Sequence, residues 1–204
     1  MLNEMGYKAI SLTGWQIPIV TDENFGNARI KSINVQTILD LFEKGYIVII
    51  AGFQGINENG EITTLGRGGS DTTAVAIAAG LKANKCDIYT DVDGVFTTDP
   101  RITEKAKKID NISYDEMLEL SSLGAKVLHN RCVEIGKKFD IPIVVKDTAL
   151  EESKGTVVKN SKYLEDMEIS GIARDDNISR VTVMGLENKI GKTYRVFDLS
   201  LIHI

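Results

Sequence analysis

The sequence predicts an α/β fold, with helices on both faces of a largely parallel sheet. Three observations carry this. Residues 46–51 (YIVIIA) and 141–145 (IPIVV) are continuous apolar, β-branched runs, the pattern of strands covered on both sides. Helical windows alternate with such runs along the chain. A glycine-rich loop at 66–71 stands between an apolar strand and a small-residue helix, as in α/β proteins that bind small molecules near strand ends.

Taken in order, residues 8–13 (KAISLT) read as a short strand closed by Gly14, and the segment onward to Ile30 reads as an irregular loop with one tryptophan. Residues 34–44 form an amphipathic helix with Val35, Ile38, Leu39 and Phe42 on one face, Asn34 as its cap and Gly45 as its stop. After the strand at 46–51, Asn59-Gly60 marks a tight hairpin between 53–57 and 61–65. A helix over 71–81 carries Ala74, Ala76, Ala78, Ala79 and Gly80, small residues that allow close packing on a sheet. Residues 86–91 (CDIYTD) form a strand ending in polar groups, which puts Thr90 and Asp91 where ligands collect. Ser113 with Glu116 is a capping box for a helix to about Leu120. A second helix is expected over 124–138, its apolar stripe made of Leu128, Cys132, Ile135 and Phe139, with His129 beside it in a structural role. Residues 141–145 and 156–159 complete the strands. From about Asn160 the character changes: a polar linker over 161–166, then strand, strand and helix over 168–174, 180–185 and 192–199.

The bulk properties narrow the function. With 204 residues, 43% hydrophobic and 26% charged, the composition is that of a soluble globular protein. A formal net charge of −5 argues against nucleic acid or an anionic membrane as a partner. No apolar run approaches the roughly 20 residues needed to span a bilayer, and a basic leader is not seen ahead of Asn3 and Glu4, so a cytoplasmic protein is expected. Cys86 and Cys132, far apart and outside any Cys-x-x-Cys, read as buried cytosolic thiols, with a disulfide as the alternative. With His129 and His203 the only histidines, a histidine-rich metal site is not expected. Asp91-Val92-Asp93-Gly94 is not a calcium loop, because the twelfth position holds Ile102 where an EF-hand closes with glutamate.

The loop Gly66-Arg67-Gly68-Gly69-Ser70-Asp71 is the richest stretch. It is not a Walker A loop, which needs Gly-Lys-Ser/Thr, nor a dinucleotide fingerprint, since Asp71 stands where the third glycine belongs. Glycines allow a close backbone approach, the following helix start favours anions, and Arg67 can grip a carboxylate or phosphate as a fork. By generic chemistry alone the loop is either an anion cradle or a structural turn.

The wider string of motifs goes further. Gly-Phe-Gln-Gly (52–55), Thr-Thr-Leu-Gly-Arg-Gly-Gly-Ser-Asp (63–71) and Tyr-Thr-Asp-Val-Asp-Gly-Val-Phe-Thr-Thr-Asp-Pro-Arg (89–101) occur in this order and spacing. With them come Ser11-Leu12-Thr13-Gly14, Phe25-Gly26-Asn27-Ala28-Arg29-Ile30, Glu116-Met117-Leu118-Glu119-Leu120, Gly124-Ala125-Lys126-Val127-Leu128-His129 and Ser170-Gly171-Ile172-Ala173. Across nearly its full length the chain resembles the aspartokinases of the amino-acid kinase family. The resemblance implies a three-layer αβα sandwich over 1–160. It also implies a linker with the first elements of an ACT regulatory domain over 161–204, carried by Ser170–Asn177 and Arg180–Gly185, with Ile190 where the family usually has proline.

The activity implied is transfer of the γ-phosphoryl group of ATP to the side-chain carboxylate of L-aspartate, with Mg2+. That is the first step toward lysine, threonine and methionine. By matched position, Arg67 takes the substrate α-carboxylate and Asp71 its ammonium, with Gly68, Gly69 and Ser70 beside them. Thr90, Asp91, Phe96, Arg101 and Lys126 meet the nucleotide; Phe96 stands where relatives often have tyrosine. The resemblance also implies feedback by lysine, threonine or both, and a homo- or hetero-oligomeric assembly. The family's Lys-Phe-Gly-Gly strand is not found in the sequence, and residues 199–204 (LSLIHI) do not resemble the family's continuation. The expectation is therefore a fragment lacking both ends and inactive by itself. Two rivals stand beside this reading. Another kinase of the same fold, such as glutamate 5-kinase or uridylate kinase, fits less well, because a nucleoside monophosphate offers Asp71 no ammonium. The second rival is a non-catalytic, amino-acid-binding regulatory subunit.

Overall fold

The computed structural model describes residues 1–124, 127–160, 171–174, 182–185 and 194. By its contacts the chain divides into two units, Met1–Arg174 and Asp175–Ile204. Within the expected strand over 180–185, residues 182–185 are described and form no strand; residues 168–170 and 180–181, and 192–199 apart from Tyr194, lie outside the described residues. Residues 171–174 are irregular and belong to the first unit, where the Ile172 N–H donates to the Thr97 carbonyl at 2.7 Å.

The first unit runs β1 (Ala9–Leu12), β2 (Ile19–Thr21), β3 (Ile30–Ile33), α1 (Gln36–Glu43), β4 (Ile47–Ile50), β5 (Gln54–Ile56), β6 (Ile62–Thr64), α2 (Gly69–Gly80), β7 (Cys86–Thr90), β8 (Asn111–Ser113), α3 (Tyr114–Ser122), α4 (Asn130–Phe139), β9 (Ile143–Asp147) and β10 (Thr156–Lys159). The α/β reading holds. The single, largely parallel sheet does not: the described strands form three sheets, β1-β4, β7-β9-β10-β8 and β3-β2-β5-β6. Parallel pairs (β1 with β4, β7 with β9, β8 with β10, β2 with β5) mix with antiparallel ones, because β2–β3, β5–β6 and β9–β10 each double back. The Asn59-Gly60 hairpin forms as expected, with Gly60 at φ 79° and the Asn57 Oδ1 accepting from the N–H groups of Asn59 and Glu61.

Two apolar clusters hold the unit together. The larger packs α2, α3 and α4 on β7, β9 and β10 through Val75, Met117, Cys132, Val133, Ile88, Ile143 and Val158. The smaller joins Leu12, Ile17, Ile19 and Ile38 with Val48, Ile50 and Ile77, so α2 is shared by both. This double duty explains why α2 has small or apolar residues on every side; a helix buried all round shows no amphipathic stripe. β4 differs from expectation. Val48 and Ile50 face the smaller cluster, but Ile47 and Ile49 are 42% and 45% exposed, since no described element packs on that side.

Helix ends follow local chemistry. Ser113 and Glu116 form the full capping box of α3. α1 is capped one residue later than expected, at Val35, with the Asn34 Oδ1 accepting from the Gln36 N–H at 3.1 Å. α4 begins at Asn130, six residues after the expected start at Gly124, because Gly124 takes φ 116° and His129 is the N-cap, its Nδ1 accepting from the Arg131 N–H. Leu128 is therefore a buried loop residue, and Phe139, at the helix end, is 54% exposed. No described helix is long and apolar enough to cross a membrane.

Candidate functional site

The chain reverses between α2 and β7 over residues 81–85, so the N-terminus of α2 and the C-terminus of β7 lie at the same edge of the sheet. β4 also ends there: the α-carbon of Gly52, just past it, packs against Ser70, so that a Cβ on Gly52 would lie 3.3 Å from the Ser70 Cα. Parallel pairing brings the end of β9 to the same place, with Thr90 opposite Asp147. This is the edge where α/β folds bind ligands.

One half of the edge is the glycine loop. Gly68 is the N-cap of α2 at φ 68°, a left-handed conformation that favours glycine. A side chain there would also collide with α4, since a Cβ would sit 2.3 Å from the Cβ of His129. A Cβ on Gly69 would lie 2.7 Å from the Phe53 ring. Phe53 itself holds φ 72°, pinned by its N–H donating to the Thr73 Oγ1 at 3.1 Å, while that hydroxyl donates to the Gly69 carbonyl at 2.7 Å. The loop thus presents the first N–H groups of a twelve-residue helix. Arg67 is exposed and, among the described residues, has no hydrogen-bond or ion-pair partner. Asp71, in the first turn, is half-buried; desolvation pushes its carboxyl above the usual range, opposed by Ser70 and by the nearby His129. Its bond from the Ser70 Oγ is long, at 3.5 Å. A free guanidinium and a poorly solvated carboxylate, four residues apart around a helix start, suit a ligand carrying both an anion and a cation.

The other half is a pocket of about 440 Å³ lined by Thr90, Asp91, Asp147, Thr148 and Ala149. The Thr148 N–H and Oγ1 both donate to the Thr90 carbonyl at 2.9 Å, tying the ends of β7 and β9 together. Gly94 approaches Thr156 so closely that a Cβ would lie 2.5 Å from its Oγ1. Lys108 pairs with Asp93 at 2.9 Å, and Ser153 also bonds Asp93; the two hold that carboxyl below its usual range.

Of the residues the sequence singles out, Arg67, Gly68, Gly69, Ser70 and Asp71 gather at the α2 start, and Thr90 and Asp91 line the pocket. Phe96 and Arg101 are not among its lining residues. Phe96 bridges to Lys108 in the following loop. Arg101 forks onto Asp99, with Nε and Nη2 at 3.0 and 2.7 Å, although Asp91 is close enough to act on its charge. Lys126 lies outside the described residues. Asp147 and Thr148 escape sequence reasoning, although applying the strand-end rule to the run at 141–145 points to them as it does to Thr90 and Asp91. Both thiols are inert by burial, Cys86 pushed up to about 11 and Cys132 to about 12.

Residues 1–147 match the model of the amino acid kinase family. The chain is 56% identical over 197 residues to an aspartokinase of Geobacillus stearothermophilus, covering 96% of this chain and 48% of that protein. It thus spans about half the length of the curated relatives it matches. Among solved structures it is similar to E. coli aspartokinase III in complex with aspartate and ADP, with a TM-score of 0.73 and 36% identity over 80% of this chain and 37% of that one. It is also similar to the same enzyme in complex with lysine and aspartate, with a TM-score of 0.70 and 37% identity over 78% of this chain and 37% of that one.

Proposed function

The chain belongs to the amino acid kinase family, and from that premise we propose that it takes part in transferring the γ-phosphoryl group of ATP to the side-chain carboxylate of L-aspartate. The observation that carries this reading is the placement of Arg67 just before, and Asp71 just inside, the start of α2, within a chain so similar to aspartokinases.

The chemistry asks little of the protein beyond placement. A carboxylate with a reference pKa of about 4 is ionised at neutral pH, so the nucleophile needs no general base. Phosphoryl transfer then rests on positioning and on neutralising charge. In our reading, Arg67 forks onto the substrate α-carboxylate and Asp71 takes its ammonium, with Ser70 and the backbone of Gly68 and Gly69 beside them. The nucleotide occupies the pocket beside Thr90 and Asp91, with Asp147 and Thr148 as further contacts. Phe96 stacks nearby, Arg101 exchanges Asp99 for phosphate, and Lys126 also meets the nucleotide. Mg2+ is proposed to come with the nucleotide as part of the substrate and would neutralise phosphate charge there, with Asp91 and Asp147 the pocket carboxylates able to face it. Residues 161–204 are proposed to open an ACT regulatory region that answers to lysine, threonine or both, in an oligomeric, cytoplasmic enzyme.

The test is hydroxamate trapping of acyl phosphate by the protein that carries this chain, given MgATP with aspartate, glutamate or UMP. Aspartyl hydroxamate is the expected product. A preference for glutamate or UMP overturns the reading.

A further inference from the structure

We propose that Arg131 is a positioning residue for the acidic substrate: it fixes the loop that carries Arg67 and thereby sets affinity for aspartate without touching it. This rests on the reading of Arg67 as the partner of the substrate α-carboxylate.

Arg131 lies in the first turn of α4, partly buried. Its Nη1 donates to the Leu65 carbonyl at 2.5 Å and to the Asn27 Oδ1 at 3.3 Å, and its Nη2 to the Ala28 carbonyl at 2.7 Å. All three acceptors are neutral, so the guanidinium acts as a clamp rather than as half of an ion pair. Each acceptor borders the loop. Leu65 immediately precedes Gly66, and Asn27 packs against Gly66 so closely that a Cβ there would lie 2.9 Å from its Oδ1. The Ala28 N–H donates to the Thr64 carbonyl at 2.9 Å, joining the two clamped segments. On the far side of Arg67, Gly68 rests on His129, the N-cap of α4 and two residues before Arg131. The first turn of α4 therefore grips the loop on both sides of Arg67. Since Arg67 has no side-chain partner among the described residues, the placement of the loop backbone sets the region its guanidinium can reach. A shift of about 1 Å at such a group can cost a hundredfold. Lysine substitutes only in part, because one ammonium does not reproduce a planar fork spanning three oxygens.

The test is steady-state kinetics of Arg131→Met, Arg67→Ala and the double variant in the protein carrying this chain. Arg131→Met is expected to raise the aspartate KM about tenfold, leave the ATP KM within about twofold, and add less than about twofold in the Arg67→Ala background. Arg131→Lys recovers only part of the loss. Equal rises in both KM values, or full additivity with Arg67→Ala, overturn the inference while leaving the Arg67 reading intact. An unchanged aspartate KM in Arg67→Ala overturns that reading and the inference with it. If Arg131→Met does not fold, Arg131→Lys and Asn27→Ala carry the same comparison, Asn27→Ala removing one acceptor of the clamp.

Discussion

Replacing Gly68 with alanine is the sharpest test of how the substrate edge is built. Two costs combine. A non-glycine residue at φ 68° pays about 1–2 kcal/mol for the left-handed conformation. The new Cβ would also stand 2.3 Å from the His129 Cβ and 2.4 Å from its Cγ, atoms close to the backbone that cannot swing aside, and such overpacking costs about 1–3 kcal/mol. Alanine recovers a little by stiffening the unfolded chain, about 0.4–1 kcal/mol. The net loss is about 1–5 kcal/mol, a substantial share of the roughly 5–15 kcal/mol that stabilises a typical domain. Urea unfolding measures it, and the aspartate KM should rise about tenfold as the loop moves. The steric part can be isolated with His129→Gly, which removes the colliding atoms and leaves a tolerable N-cap, glycine costing only about a few tenths of a kcal/mol there. In that background Gly68→Ala should cost about 1–3 kcal/mol less than in the parent. Additivity of the two changes within about 0.5 kcal/mol would refute the collision argument.

Further outcomes follow from the same geometry. Arg67→Ala removes a charge-assisted fork and should cost about 2–4 kcal/mol of kcat/KM for aspartate, with ATP affinity little changed; parallel losses for both substrates would reassign the residue. Burial raises the Asp71 pKa, and only the carboxylate binds an ammonium, so aspartate affinity should fall as pH drops through that raised value and level off above it, as titration calorimetry across pH would record. The stability sign is opposite: the contribution of Asp71 is fullest below its unfolded pKa and is lost as pH rises through the folded one. Asp71→Asn should therefore unfold at a higher temperature near neutral pH while binding aspartate more weakly. Tyr114 is 1% exposed and its buried hydroxyl has no partner among the described residues, so Tyr114→Phe should raise stability by about 1 kcal/mol in urea unfolding; a loss of that size would mean the hydroxyl is satisfied.

What could be read from the chain alone was whatever local signals decide. The apolar run at 46–51, the polar end of β7, the Asn59-Gly60 turn and the Ser113–Glu116 box each announce an element within a few residues. β2, β3 and β8 do not, being three or four residues long and made strands by distant partners, as Val20 is by Ile56. The apolar stripe through Leu128 suggested a helix from Gly124, but spacing carries no information on where a cap will stand. The site divides in the same way. The glycine loop is contiguous and visible. Arg131 is not, because its acceptors lie 66, 103 and 104 residues away and are mostly backbone atoms, which leave no mark on sequence.

The close approaches at this edge also limit how the sequence can drift. Gly52 abuts Ser70, Gly66 abuts Asn27, Gly68 abuts His129, and Gly69 abuts Phe53 and Leu65. Each glycine is thus one half of a two-position lock, and the other half usually sits on a separate segment. At Gly69 a larger residue becomes tolerable only after Phe53 and Leu65 give way. At Gly66 and Gly68 the left-handed backbone strains any side chain even when the neighbour shrinks, and at Gly52 the neighbour is the Ser70 backbone, which no substitution removes. The motifs around 25–29, 52–55, 66–71 and 129–131 are then a single inherited unit, altered by paired substitutions or not at all, whereas exposed positions such as Ile62 are free to vary one at a time.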